Sequence, residues 1–115
     1  MDATQYQQQA ARTLNTSTRS VSFDELKLLN CTLGLVGETG ELTELVKKYV
    51  FHSHELDLVK LECEVGDIAW YLAAVCTVLG FDLSCVMQAN IDKLMLRYPN
   101  GFSSQDSVRR IDVKP

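Results

Sequence analysis

A chain of 115 residues, 46 % apolar and 23 % charged, is long enough for one folded domain (residues 1–115) and too apolar to be disordered. Its net charge of −4 and the lack of a basic stripe argue against a nucleic-acid polymer as partner, and the longest nearly apolar run, Ile68 to Leu79, falls short of the roughly 20 residues that cross a bilayer. Met1 to Gln5 form no secretory signal, and Cys31, Cys63, Cys76 and Cys85 sit in apolar helical contexts without disulfide or zinc spacing, so they read as buried thiols of a cytoplasmic protein.

Residues 3–14 are rich in glutamine, with Tyr6, Ala10 and Leu14 at helical spacing. They predict a weakly amphipathic helix that docks late or joins a subunit contact. Residues 15–22 read as a polar loop. Ser22, with Glu25 three residues on, starts a second helix with a capping box, and this helix extends to about Val50. Leu28, Leu35, Leu42, Leu45 and Tyr49 form its core stripe. Glu38 falls at the edge of that stripe and Glu41 about 60° further round. Gly34, Gly37 and Gly40 recur inside this helix, each at a cost of roughly 1 kcal/mol relative to alanine. Such a run calls for a bare surface, either for close helix approach or for a ligand beside the acids.

Phe51 to His54 form a turn, in which His52 and His54 read as polar turn residues in preference to metal ligands. The third helix is expected from about Glu55 to about Leu79, with Leu58, Leu61, Val65, Ile68, Leu72, Val75 and Leu79 as its core stripe and Glu64, Asp67 and Tyr71 on a neighbouring one. From Ile68 onward it is apolar nearly all round, which points to a subunit interface. Gly80 ends it, and Asp82 or Ser84 caps a fourth helix that runs to about Tyr98 before Pro99-Asn100-Gly101. Met87, Ile91, Leu94 and Tyr98 form the apolar side of the fourth helix, while Asn90, Lys93 and Arg97 share another face. The tail, residues 103–115, is polar and mixed in charge and is assigned no element. The fold class is all-α, a four-helix bundle-like arrangement assembled as an oligomer.

The acids carry the chemistry. Glu38 with Glu41, and Glu64 with Asp67, are two acid-x-x-acid pairs in mirror register about the point between His52 and Ser53. A hairpin turning there puts Glu38 level with Asp67 and Glu41 level with Glu64, so that all four can converge. Carboxylates without histidine or cysteine make a hard oxygen site suited to magnesium or manganese. The competing reading, solvated helix-surface acids, suits a single pair better than two in register. Glu44 has Lys48 at i+4 and reads, like Glu62, as a surface residue. Trp70 and Tyr71 either line a base or sugar pocket or belong to the core. Lys93 and Arg97 either are solvated or, as their alignment with Asn90 favours, contact phosphate.

Gly37-Glu38-Thr39-Gly40-Glu41-Leu42, Glu64-Val65-Gly66-Asp67-Ile68, Asn90-Ile91-Asp92-Lys93-Leu94 and Arg97-Tyr98-Pro99, in this order and spacing, resemble the MazG-type all-α nucleotide pyrophosphohydrolases over about residues 23–102. The resemblance implies hydrolysis of a nucleoside triphosphate to the monophosphate and pyrophosphate, in a house-cleaning role. It implies magnesium, or manganese, at Glu38, Glu41, Glu64 and Asp67. Independently of the family, a carboxylate not fully committed to the metal, Glu38 or Glu41, suits the role of general base. By the resemblance, Asn90, Lys93 and Arg97 would contact the phosphates or complete the site, and Tyr71 would stand near phosphate or sugar. The apolar stretch from Ile68 to Leu79 points separately to a homodimer or homotetramer, with Trp70 or a first-helix residue of one subunit near a shared pocket. A narrower relative acting on a deoxyuridine nucleotide or on phosphoribosyl-ATP shares the same acids. A non-catalytic metal- or nucleotide-binding oligomerisation module is the reading from a different class, and the intact acids argue against it.

Overall fold

Each helix begins where a polar side chain takes up a backbone N–H that the first turn leaves without a partner. In the computed structural model, which describes residues 1–113, the helices are α1 (Ala3–Ala11), α2 (Phe23–Phe51), α3 (Leu58–Leu79), α4 (Leu83–Arg97) and α5 (Ser104–Arg109). Asp2 and Ser22 head capping boxes with Gln5 and Glu25. Asp57 accepts from the Lys60 N–H, Asp82 from that of Ser84 and Ser103 from that of Asp106. At the far end of α3, Gly80 adopts φ 74°, and the Phe81 N–H donates to the Cys76 carbonyl at 2.8 Å. This is the glycine-closed helix end that the sequence signals.

The connection after α2 is longer than a tight turn. His52 caps α2, Ser53 is left-handed at φ 59°, and α3 starts at Leu58 rather than near Glu55, because Asp57 is the side chain that caps it. The two long helices still keep their expected register, since α2 simply continues about one turn past the start of α3.

The burial pattern on α3 differs from the expected one by one position. Leu61, Glu64, Ile68, Tyr71, Val75 and Val78 are shielded, whereas Val65 and Leu72 are exposed, as are Leu58 and Leu79. Where a helix is apolar all round, hydropathy does not select the face, and here the packing against α2 does. On α2 the shielded residues include Leu28, Cys31, Gly34, Leu35, Glu38, Leu42, Leu45 and Lys48, with Tyr49 left exposed. Cys31 and Cys76 are buried as expected, while Cys63 and Cys85 are exposed and all four are unpaired.

Among the described residues, α2 and α3 are the one pair of helices packed along their length. Helix α4 leaves α3 at 106°, and α1 buries nothing. The radius of gyration is 20.4 Å, against about 13 Å for a compact chain of this length. Cys31 and Cys76 are the only buried apolar residues among the described ones, and neither is fully enclosed. No single described helix is long and apolar enough to cross a membrane.

The tail, expected to lack structure, folds back on α4. Helix α5 is announced by Ser103 three residues before Asp106, a capping signature. Beyond it, Asp112, whose side chain is 1 % exposed, accepts from Arg97 Nε at 2.7 Å and from Nη2 at 2.6 Å. This two-pronged pair, led by the Arg97 hydrogen bonds, holds the Asp112 carboxyl down at about 2, against an ordinary 3.8. The folded pKa lies below the unfolded one, so the pair's stabilisation is complete above about pH 4 and is lost as pH falls toward about 2. Urea unfolding between pH 5 and pH 2 is expected to show this loss in the wild type, and Asp112→Asn is expected to be less stable at pH 5 and flatter over the same range.

Candidate metal and phosphate site

Helix α2 presents Glu38 on the face that packs against α3, and α3 presents Glu64 on the face that packs against α2. Both are half-buried in a contact whose other members are mostly apolar, leucines, Cys31 and Gly34 on α2 and Leu61, Ile68, Tyr71, Val75 and Cys76 on α3. Glu41 lies off that face and is exposed, but a glutamate is long enough to reach back. One carboxylate oxygen from each of Glu38, Glu41 and Glu64 lies within 4.8 Å of the others. Asp67 is exposed and outside this trio. It is displaced from the α3 contact face as Glu41 is from that of α2, and its side chain is one methylene shorter. Of the four acids expected to converge, the structure brings three together.

The trio is an electrostatic problem without a cation. Burial first, and then the close approach and charge of Glu38 and Glu41, pushes the Glu64 carboxyl up to about 7 from an ordinary 4.5. Glu64 Oε2 is buried without a hydrogen-bond partner. A buried carboxylate oxygen that finds no donor costs free energy unless a proton or a cation satisfies it. Oxygen donors from three acids, with no nitrogen or sulfur among them, fit a hard divalent ion.

The other expected residues lie outside the trio. Asn90 and Lys93 are exposed on α4, which is not laid along α2. Asn90 borders an apolar groove of about 380 Å³ between α3 and α4, with Cys76 and Met87 among its walls. Arg97, expected to face phosphate, spends Nε and Nη2 on Asp112, a partner that sequence reading missed because the tail carried no periodic signal. Trp70 is 64 % exposed and meets the half-buried Tyr71 edge-on, with ring centroids 5.0 Å apart. Glu44 pairs with Lys48 as expected, and with Lys47 as well.

The MazG nucleotide pyrophosphohydrolase domain family matches residues 27–102. The chain belongs to this family. The matched region contains the trio, Asp67, and the Asn90, Lys93 and Arg97 face, and it stops short of α5 and Asp112. The chain is also similar to the Gene 37 protein of Mycobacterium phage L5, at 38 % identity over 74 residues that cover 61 % of this chain and 65 % of that protein. No solved structure matches.

The raised Glu64 carboxyl has a measurable sign. Without metal, folded Glu64 keeps its proton up to about pH 7, whereas unfolded Glu64 loses it near 4.5. The unfolded chain therefore binds fewer protons in that window, and stability falls as pH rises through it. Melting followed by circular dichroism is expected to show a lower midpoint at pH 8 than at pH 5 in chelator. Added magnesium should restore the midpoint at pH 8, and Glu64→Gln should flatten the dependence. A wild-type midpoint insensitive to both pH and magnesium would remove the trio from consideration as a cation site.

Proposed function

We propose that the chain hydrolyses a nucleoside triphosphate between its α and β phosphates, releasing the monophosphate and pyrophosphate, with a divalent cation held by Glu38, Glu41 and Glu64. The observation that carries this reading is the unpartnered, buried Glu64 oxygen among converging carboxylates, in a chain whose family is one of nucleotide pyrophosphohydrolases. Asp67, the remaining acid of the paired motifs, is assigned to the same ion.

Bound magnesium or manganese would supply charge neutralisation at the triphosphate and acidification of water. The chain's own residues divide the remaining work. Glu38 and Glu64, half-buried on facing helices, anchor the ion at a fixed place. Glu41, the trio member open to solvent, accepts the proton of the attacking water as general base. Lys93 and Asn90 offer an ammonium and an amide to phosphate oxygens. Arg97 assists through its remaining N–H groups while Asp112 orients it. Trp70, with its ring exposed beside Tyr71, offers a surface on which a base can stack.

Within one chain α4 stands away from the acids, so a second copy completes the pocket, as a homodimer or a homotetramer. The exposed apolar side chains of α2, α3 and α4, Leu33, Val36, Leu72 and Met87 among them, are the surface that such an assembly would cover. Substrates are standard or damaged (deoxy)nucleotides, in a house-cleaning role. The narrower alternative is a deoxyuridine nucleotide or phosphoribosyl-ATP.

A pyrophosphate-release assay over a nucleotide panel, with and without chelator, tests the reading. Activity is expected with magnesium or manganese and none in chelator, and full turnover in chelator would sink the assignment. Glu38→Gln, Glu41→Gln, Glu64→Gln and Asp67→Asn are each expected to lower kcat/KM by at least about 100-fold with helical content retained. Metal or nucleotide binding without any turnover would favour the non-catalytic reading. Light scattering during size exclusion is expected to give at least twice the 12.9 kDa chain mass, and an active monomer at micromolar concentration would overturn the shared pocket.

A further inference from the structure

We propose that Gly34 is a positioning residue for the cation site, because its missing side chain lets Tyr71 lie against the α2 backbone and so sets the helix spacing at which Glu38, Glu41 and Glu64 converge. The inference rests on the reading of the trio as a cation site and adds a residue that carries no donor atom of its own.

The three glycines of α2 are not equivalent. A Cβ built on Gly37 or Gly40 meets nothing within 4 Å, whereas one built on Gly34 lies 2.8 Å from Tyr71 Cδ1 and nearer still to Cε1 and Cζ. Ordinary carbon contact needs roughly 3.5 Å or more. The atoms in the way belong to a ring anchored on a packed helix, so relief requires either rotation of Tyr71 out of the contact or separation of α2 from α3.

The position of this contact gives it its consequence. Gly34 lies four residues before Glu38 and so one turn away on the same face of α2, and Tyr71 lies seven after Glu64, two turns along the same face of α3. Gly34 and Tyr71 also share the mirror point between His52 and Ser53, so the contact is level across the hairpin and adjacent to the acids. Magnesium and its mimics hold oxygen ligands at about 2.0–2.1 Å with little tolerance. Two such ligands on one ion are at most roughly 4.2 Å apart, whereas the trio oxygens lie within 4.8 Å of one another. The trio therefore already stands at the outer limit of what one ion spans and must draw in slightly to bind it, and a further separation of about 1 Å at the neighbouring turn, the order of shift that relieves the Gly34 contact, works against that closure.

The test is titration of the full-length chain with Mn2+, followed by electron paramagnetic resonance, in the wild type and three variants. Gly34→Ala is expected to weaken Mn2+ binding by at least about tenfold, the scale of supporting contacts at metal sites. Gly37→Ala, which adds the same methyl group into open space, should stay within about twofold of wild type. Gly34→Ala combined with Tyr71→Ala should recover most of the loss, because the ring that collides is gone. Wild-type affinity in Gly34→Ala overturns the inference. So does an equal loss in Gly37→Ala, or a loss that the double variant does not recover. If Gly34→Ala alone fails to fold, a folded, Mn2+-binding double variant supports the inference, and an unfolded or non-binding one overturns it. A wild-type chain that binds no Mn2+ overturns the cation-site reading itself, a result distinct from all of these.

Discussion

Three carboxylates brought to one point by two packed helices repel one another, and the hairpin forms regardless because the contact around them is apolar. Leu35 and Leu42 flank Glu38 on α2, and Leu61 and Ile68 flank Glu64 on α3, all of them shielded. Burial of this flanking surface works against a charge cluster that water would otherwise disperse. The compromise is visible at Glu64, whose carboxyl rises to about 7 and whose Oε2 has no partner. Under the proposed function a cation among these carboxylates would relieve that repulsion, so the acids and the helix packing would act together.

The hairpin register could be read directly from residue positions. Two acid pairs about one midpoint predict which turns of α2 and α3 face each other, and the Gly34–Tyr71 contact obeys the same midpoint, a signal present in the sequence and not used there. The face of α3 was harder to read. Val65, Leu72 and Leu79 are as apolar as Leu61, Ile68 and Val75, so hydropathy put all six on one stripe and only the packing of α2 divides them. The same rotation moves Glu64 from the border of the contact to its centre and leaves Asp67 outside. Sequence spacing alone cannot supply this distinction, because it follows from about 60° of helix rotation and one methylene of side-chain length.

The tail resisted prediction for a different reason. A helix of six residues is too short for periodicity to register, and a buried Asp112 is improbable until Arg97 is known to face it. Arg97 itself carried a plausible role, phosphate contact, that its residue type supports equally well. A guanidinium fork matches a carboxylate and a phosphate by the same geometry, so residue type cannot say which partner it meets. Only the returning chain decides.

What remains open in the fold follows from helix count. Two long helices packed against each other bury one face each, and the faces turned away still carry Leu26, Leu29, Leu33 and Val36 on α2 and Val65, Leu72 and Leu79 on α3, all exposed. On α2 these positions recur at spacings of three and four, the pattern of a second helix-packing seam. A helix with two seams belongs to the middle of a bundle, and α4, turned away at 106°, does not fill the second one. The proposed second copy would therefore do two things at once: cover this seam, and bring a phosphate-facing α4 within reach of acids that the first copy holds. Under that proposal, core closure and site completion become one event, and a chain too small to enclose its own core has no complete site before it assembles.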